Sequence, residues 1–197
     1  MIKRSGILFI ILGTMLIGSA LSLHLYNRQE DLQASRSAAD LMEKIQTMPT
    51  AEETVPVEIR PTEMPTVTID GYDYIGYLSI PTLELELPVM AQWDYARLKI
   101  APCRESGATT TDDLVIAAHN YDSHFGRLKE LLPGDPIDFV EMDGFCNTYH
   151  VEKIATLEPE QVDAVLLSDY DLVLYTCTKG GATRVVVYCD RLDSATK

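Results

Sequence analysis

The chain has 197 residues, 46% of them hydrophobic, and 30 acidic against 16 basic side chains give it a formal charge of -14. That length and apolar content suffice for one ordinary domain whose core needs no disulfide staples. The charge excludes a nucleic-acid partner, because a phosphate backbone would repel the surface that had to contact it.

Residues 5–23 form an uncharged apolar run, preceded by Lys3 and Arg4 and followed by Asn27-Arg28-Gln29-Glu30-Asp31. A run of that length spans the about 30 Å hydrocarbon core of a bilayer at about 1.5 Å per residue. Basic residues on its N-terminal side predict a cytoplasmic N-terminus and an extracellular remainder. Gly18-Ser19-Ala20 offers small residues at which a signal peptide could be cut. The run is nevertheless longer than the about 7–15 residues of a signal h-region, so a retained single-pass anchor is expected over residues 1–28. Either reading exports the remainder of the chain.

Gln29–Gln46 is rich in helix formers, with Leu32, Ala38, Ala39, Leu41, Met42 and Ile45 among polar residues, and reads as a juxtamembrane helix. Between Thr47 and Thr68, Pro49, Pro56, Pro61 and Pro65 interrupt a Thr- and Glu-rich stretch without hydrophobic period, which predicts an extended spacer. Residues 29–68 are thus expected to be helix and spacer, and residues 69–197 the folded domain.

In that domain the spacing predicts strands over Tyr74–Ser79, Glu86–Met90, Asp113–Ala118, Pro136–Glu141, Thr148–Leu157, Leu172–Thr176 and Arg184–Asp190. Short helices are expected over Asp94–Ile100, Phe125–Leu132 and Pro159–Val165, the second ended by Pro133-Gly134-Asp135. Seven or eight short strands with little helix make a mainly-β protein, a barrel or a sandwich. Cys103, Cys146, Cys177 and Cys189 show no C-x-x-C spacing, and Cys146 and His150 fall in a β-run, so neither a metal site nor a cofactor is expected.

The chemistry concentrates in Asp171-Leu-Val-Leu-Tyr-Thr-Cys177-Thr-Lys-Gly-Gly-Ala-Thr-Arg184, where one β-run ends in Cys177 and a Gly-Gly turn leads to a second run opened by Arg184. A hairpin would bring this thiol and guanidinium within reach of one substrate. Acyl transfer through a thiolate also needs a proton donor for the leaving amine and a stabiliser for the oxyanion. His119 ends the apolar run Leu114–Ala118 where the chain leaves the core, and so can supply the first. Taken singly these residues have plainer readings: a buried structural cysteine, a turn histidine, a solvated arginine. Their combination at strand ends is what points to catalysis.

Here the chain resembles the sortases, membrane-anchored cysteine transpeptidases of Gram-positive bacteria. Their Thr-Leu-x-Thr-Cys hallmark is matched in its last four positions by Val173-Leu174-Tyr175-Thr176-Cys177, with Arg184 at the family's Arg position and His119 at its His position. Tyr74-Ile-Gly-Tyr-Leu-Ser-Ile-Pro81 looks like the family's opening strand, and Phe125–Asp135 like the segment after its His. The resemblance implies a sortase-like closed β-barrel of seven to eight strands with a few short helices behind an N-terminal transmembrane helix. It implies catalytic residues Cys177, His119 and Arg184, with Thr176 and Asn120 as substrate contacts, Asn120 also able to orient His119. The implied partners are a surface protein's sorting-signal peptide and an amine of a cell-wall precursor or pilin.

His119-Asn120 is similar to class B members, whereas the short Cys-to-Arg connection and the short Leu157–Asp171 segment suit class D-like ones. The lack of a second apolar segment after Asp190 leans away from pilin polymerisation. Two other readings compete. Papain-like enzymes carry the Cys before the His, and L,D-transpeptidases a Ser-x-Gly-Cys motif, neither of which matches here. A non-catalytic anchored β-domain for binding or assembly remains the alternative from outside the enzymes.

Overall fold

The computed structural model describes residues 4–47 and 63–192. A single helix, α1, runs Arg4–Thr47, so the expected anchor and juxtamembrane helix are continuous. The chain divides into two compact units, residues 1–33 and residues 34–197. The helix is long and apolar enough to cross a membrane by length and composition. Most of the expected spacer lies outside the described residues.

In the second unit, the last turns of α1 bury Ala34, Ala38, Leu41 and Met42. Their i, i+4, i+7 and i+8 spacing makes one apolar stripe. Ala38 joins the main core and Leu41 a second cluster with Ile69, Tyr74 and Met90.

The remainder is a sheet of nine strands among the described residues: β1 Val67–Ile69, β2 Tyr72–Ile80, β3 Leu85–Met90, β4 Cys103–Ser106, β5 Leu114–Ala117, β6 Pro136–Glu141, β7 Cys146–Leu157, β8 Leu172–Cys177 and β9 Arg184–Arg191. Their order is β1-β2-β3-β4-β5-β8-β9-β7-β6, and β6 pairs back with β2. Eight strands therefore close a barrel, with β1 as a short addition to the edge of β2. Closure leaves no long unpaired edge. All seven expected strands are present; β1 and β4 are additional. The three expected helices contract to single turns: 3-10 turns at Arg97–Lys99 and Leu128–Glu130, and α2 at Asp163–Leu166.

Strand periodicity divides the barrel wall into two faces. The inward set includes Leu114, Ile116, Leu172, Leu174, Val185 and Val187. The outward set, Val115, Val173, Val186 and Tyr188, is not left to solvent, because Val165 of α2 packs on it. Tyr188 also donates its hydroxyl to the Ala164 carbonyl at 2.9 Å. One backbone approach is glycine-dependent: a Cβ on Gly76 would lie 2.2 Å from the Val140 carbonyl oxygen, across the β2–β6 seam that closes the barrel.

Candidate active site

Parallel strands β5 and β8 pair from Leu114 with Leu172 to Ala117 with Tyr175. The Ala118 N–H extends the ladder to the Tyr175 carbonyl at 3.2 Å. Carrying that register two residues further along both strands sets His119 beside Cys177. On the other flank of β8, antiparallel β9 places Arg184 directly opposite Cys177. Alternation then settles the face. Val115, Val173 and Val186 point outward, so by period two Cys177, Arg184 and His119 all belong to the outer wall, on three adjacent strand ends.

The Cys177–Arg184 hairpin is braced within its turn. Thr178 and Thr183 share four contacts: the Thr178 N–H to the Thr183 carbonyl at 2.9 Å, the Thr178 hydroxyl to the same carbonyl at 3.2 Å, the Thr183 N–H to the Thr178 hydroxyl at 3.1 Å, and the two hydroxyls at 3.0 Å. Gly180 and Gly181 take φ of 95° and 76°, values that strain any side chain with a Cβ. Arg184 uses Nη1 to donate to the carbonyls of Gly181 at 3.0 Å and Thr183 at 3.1 Å, so the turn aims its own guanidinium.

Thr176 and Asn120, the expected peptide contacts, make hydrogen bonds within the protein. Thr176 is 3% exposed and donates its hydroxyl to the Ala118 carbonyl at 2.8 Å. Lying one residue before Cys177, it points to the opposite face of β8. Asn120 donates its side-chain N–H to the Thr178 carbonyl at 3.2 Å, clamping the histidine segment to the cysteine hairpin. Lys179 and Asp122 add an exposed ion pair at 3.6 Å between the same segments. Removing the Thr176 hydroxyl strands a buried carbonyl, which costs about 1–3 kcal/mol. Thr176→Val is accordingly expected to lower the thermal midpoint while KM for a peptide substrate stays within about twofold, separating a brace from a substrate contact.

The residue that shares the outer face with Cys177 is Tyr175. With Arg184 it lines a cavity of about 160 Å3 whose other walls include Glu105, Pro159, Val162, Val165 and Leu166. Tyr175 donates its hydroxyl to Glu105, and burial raises the Glu105 carboxyl above the usual range. The short β7–β8 connection thus builds much of the wall of a cavity next to Arg184, the cross-strand partner of Cys177. Period two along β8 could have found Tyr175. Nothing in the local sequence around Glu105 could have, because it reaches the cavity from β4.

The four cysteines are free thiols. Burial pushes Cys103 up to about 12 and raises Cys189 as well; burial and then Asp138 raise Cys146. Buried Cys103 and Cys189 are thereby held in the protonated form, whereas Cys146 is exposed. No cluster of metal-ligating side chains occurs among the described residues.

A Sortase domain family model matches residues 78–192, more than half of the chain. The chain belongs to the sortase family. No curated protein matches it, but solved sortase structures do. Sortase C1 of Streptococcus suis is similar at 25% identity and a TM-score of 0.53, over 62% of this chain and 75% of that one. Clostridium perfringens sortase C with the C-terminal cell wall sorting motif is similar at 21% identity and 0.56, over 80% and 98%. A Clostridium perfringens sortase D5 transpeptidase is similar at 19% identity and 0.57, over 80% and 96%. The eight-stranded barrel is the sortase fold, and the protein is a sortase-type cysteine transpeptidase. The strand ends bring a thiol and a guanidinium together at Cys177 and Arg184, with the His119 imidazole on the neighbouring segment.

Proposed function

We propose that this sortase cleaves the C-terminal sorting signal of surface proteins and transfers the acyl group to an amine of the cell wall or of a pilus subunit. In the first step the Cys177 thiolate adds to the carbonyl of a Thr–Gly-type bond, and Arg184 stabilises the oxyanion. The C–N bond breaks as His119 protonates the leaving amine, leaving a thioester on Cys177. In the second step the incoming amine adds to the thioester carbonyl, His119 accepts its proton, and the thiolate departs to regenerate the enzyme. Atoms and protons balance without a cofactor.

The observation that carries this reading is the register: Cys177 faces Arg184 across one ladder and meets the extrapolated position of His119 across the other. The cavity of Tyr175, Arg184, Val162, Val165 and Leu166 is the proposed seat of the apolar part of the signal. Residues 1–28 are proposed as a single-pass membrane anchor with the N-terminus cytoplasmic, residues 29–68 as helix and spacer, and residues 69–197 as an extracellular catalytic domain. The helical apolar run and the basic Lys3-Arg4 flank support that placement.

The test is to incubate the purified domain with a panel of sorting-motif peptides, with and without a panel of amines. Mass spectrometry is expected to find an acyl adduct on Cys177 that disappears when amine is added, with a new amide as product. Peptide turnover through any other residue would overturn the scheme.

A further inference from the structure

The segment after β5 does more than carry His119 out of the core. Its chain closes on itself: the His119 carbonyl accepts the Phe125 N–H at 3.2 Å, and the Tyr121 carbonyl accepts the N–H groups of His124 at 2.9 Å and Gly126 at 2.8 Å. Gly126 is the residue that lets the turn shut, since a Cβ there would lie 2.6 Å from the Asn120 carbonyl oxygen and 2.7 Å from that of Tyr121. Within this turn three rings stand in a row. The Tyr121 ring stacks on the His119 imidazole, with centroids 4.8 Å apart and planes at 26°, and tilts against His124 on its other side at 5.5 Å and 57°. His124 and the adjacent Phe125 are fully buried. The half-buried His119 is therefore connected through Tyr121 to the fixed interior of the barrel.

The consequence concerns catalysis. An imidazole that must first protonate a leaving amine and then take a proton from an entering one works only if its plane points the right nitrogen at the thioester carbon's substituent. Rotation about χ2 of a histidine is soft, with broad wells. A planar ring packed at stacking distance limits that rotation, and aromatic pairs of this offset geometry are attractive in their own right.

We propose that Tyr121 is a positioning residue, whose ring, braced by buried His124, sets the plane of the His119 imidazole for proton transfer to and from the amine. This rests on the proposed role of His119. The role belongs to the ring face and not to the phenol, so Phe can replace Tyr121 and an aliphatic side chain of similar size cannot.

The test compares Tyr121→Phe, Tyr121→Leu and His119→Gln in the purified domain. Tyr121→Leu is expected to lower kcat about 10- to 100-fold, the scale of a misplaced catalytic group, with KM nearly unchanged, whereas Tyr121→Phe keeps wild-type kcat. An independent readout needs no turnover. In the wild type the ring current of Tyr121 displaces the carbon-bound imidazole proton resonances of His119, assigned by their loss in His119→Gln; they stay displaced in Tyr121→Phe and return toward random-coil positions in Tyr121→Leu. Wild-type resonances already at random-coil positions would overturn the proposal, even should Tyr121→Leu fail to fold. So would a kcat in Tyr121→Leu equal to wild type, or a Phe variant as impaired as the Leu one. Retained transpeptidation in His119→Gln would instead refute the role of His119, while the resonance displacement would still report the stack.

Discussion

Replacing Cys177 by alanine is expected to abolish thioester formation and to lower peptide cleavage by about 10^4- to 10^6-fold, the loss typical of removing a nucleophile that acts together with its base. The fold should survive, because Cys177 is only half buried, at the last position of β8, and its removal empties little core volume. No other thiol can take over. Cys103 and Cys189 are fully buried and held protonated. Cys146 stands opposite Val140 on the β6–β7 ladder, away from the strand ends that carry His119 and Arg184. Cys177→Ser should rescue little, since a hydroxyl with no stronger base than an imidazole is a far weaker nucleophile than a thiol. Mass spectrometry of the enzyme after incubation with a sorting peptide reads the outcome. An acyl adduct in the alanine variant would place the nucleophile elsewhere and remove the basis of the mechanism.

Much of this geometry was legible in the sequence, and the exceptions have physical causes. The strands that were legible, such as β8 and β9, are runs of β-branched and aromatic residues bounded by turn signals. β4 is not: Cys-Arg-Glu-Ser offers no alternation, and it touches its parallel neighbour β3 only where Met90 meets Cys103. β1 has three residues and exists by pairing with β2 across the Asp70-Gly71 turn. The expected helices shrank because an apolar pattern one or two turns long cannot sustain a helix, whose nucleation cost is recovered only over longer stretches. Cys177, His119 and Arg184 lie where a strand-end reading puts them. Period two along β8 also separates the faces: the residue next to an outward Cys177 faces inward, so Thr176 is buried and Tyr175 shares the side of Cys177. The stack of Tyr121 on His119 depends on a turn closed by backbone bonds from Phe125 and Gly126, which no local pattern announces.

Arg184→Lys is expected to lower kcat/KM by about 10^2- to 10^3-fold, the scale of losing an oxyanion donor, although the charge is kept. The reason lies in how the guanidinium is held. Its Nη1 is committed to the carbonyls of Gly181 and Thr183, so the turn fixes the plane of the fork at the cross-strand partner of Cys177. An ammonium has no plane to fix. On its flexible stem it can satisfy the turn carbonyls or the oxyanion, and doing both from one nitrogen sacrifices the geometry of each. Arg184→Ala should be at least as impaired and, because its cost to the exposed turn is small, about as stable as the Lys variant. Steady-state kinetics on a peptide cleaved by the wild type, with thermal midpoints measured in parallel, decide the matter. A Lys variant within about fivefold of wild type would show that position 184 needs only a positive charge, and that the oxyanion is stabilised by some other donor.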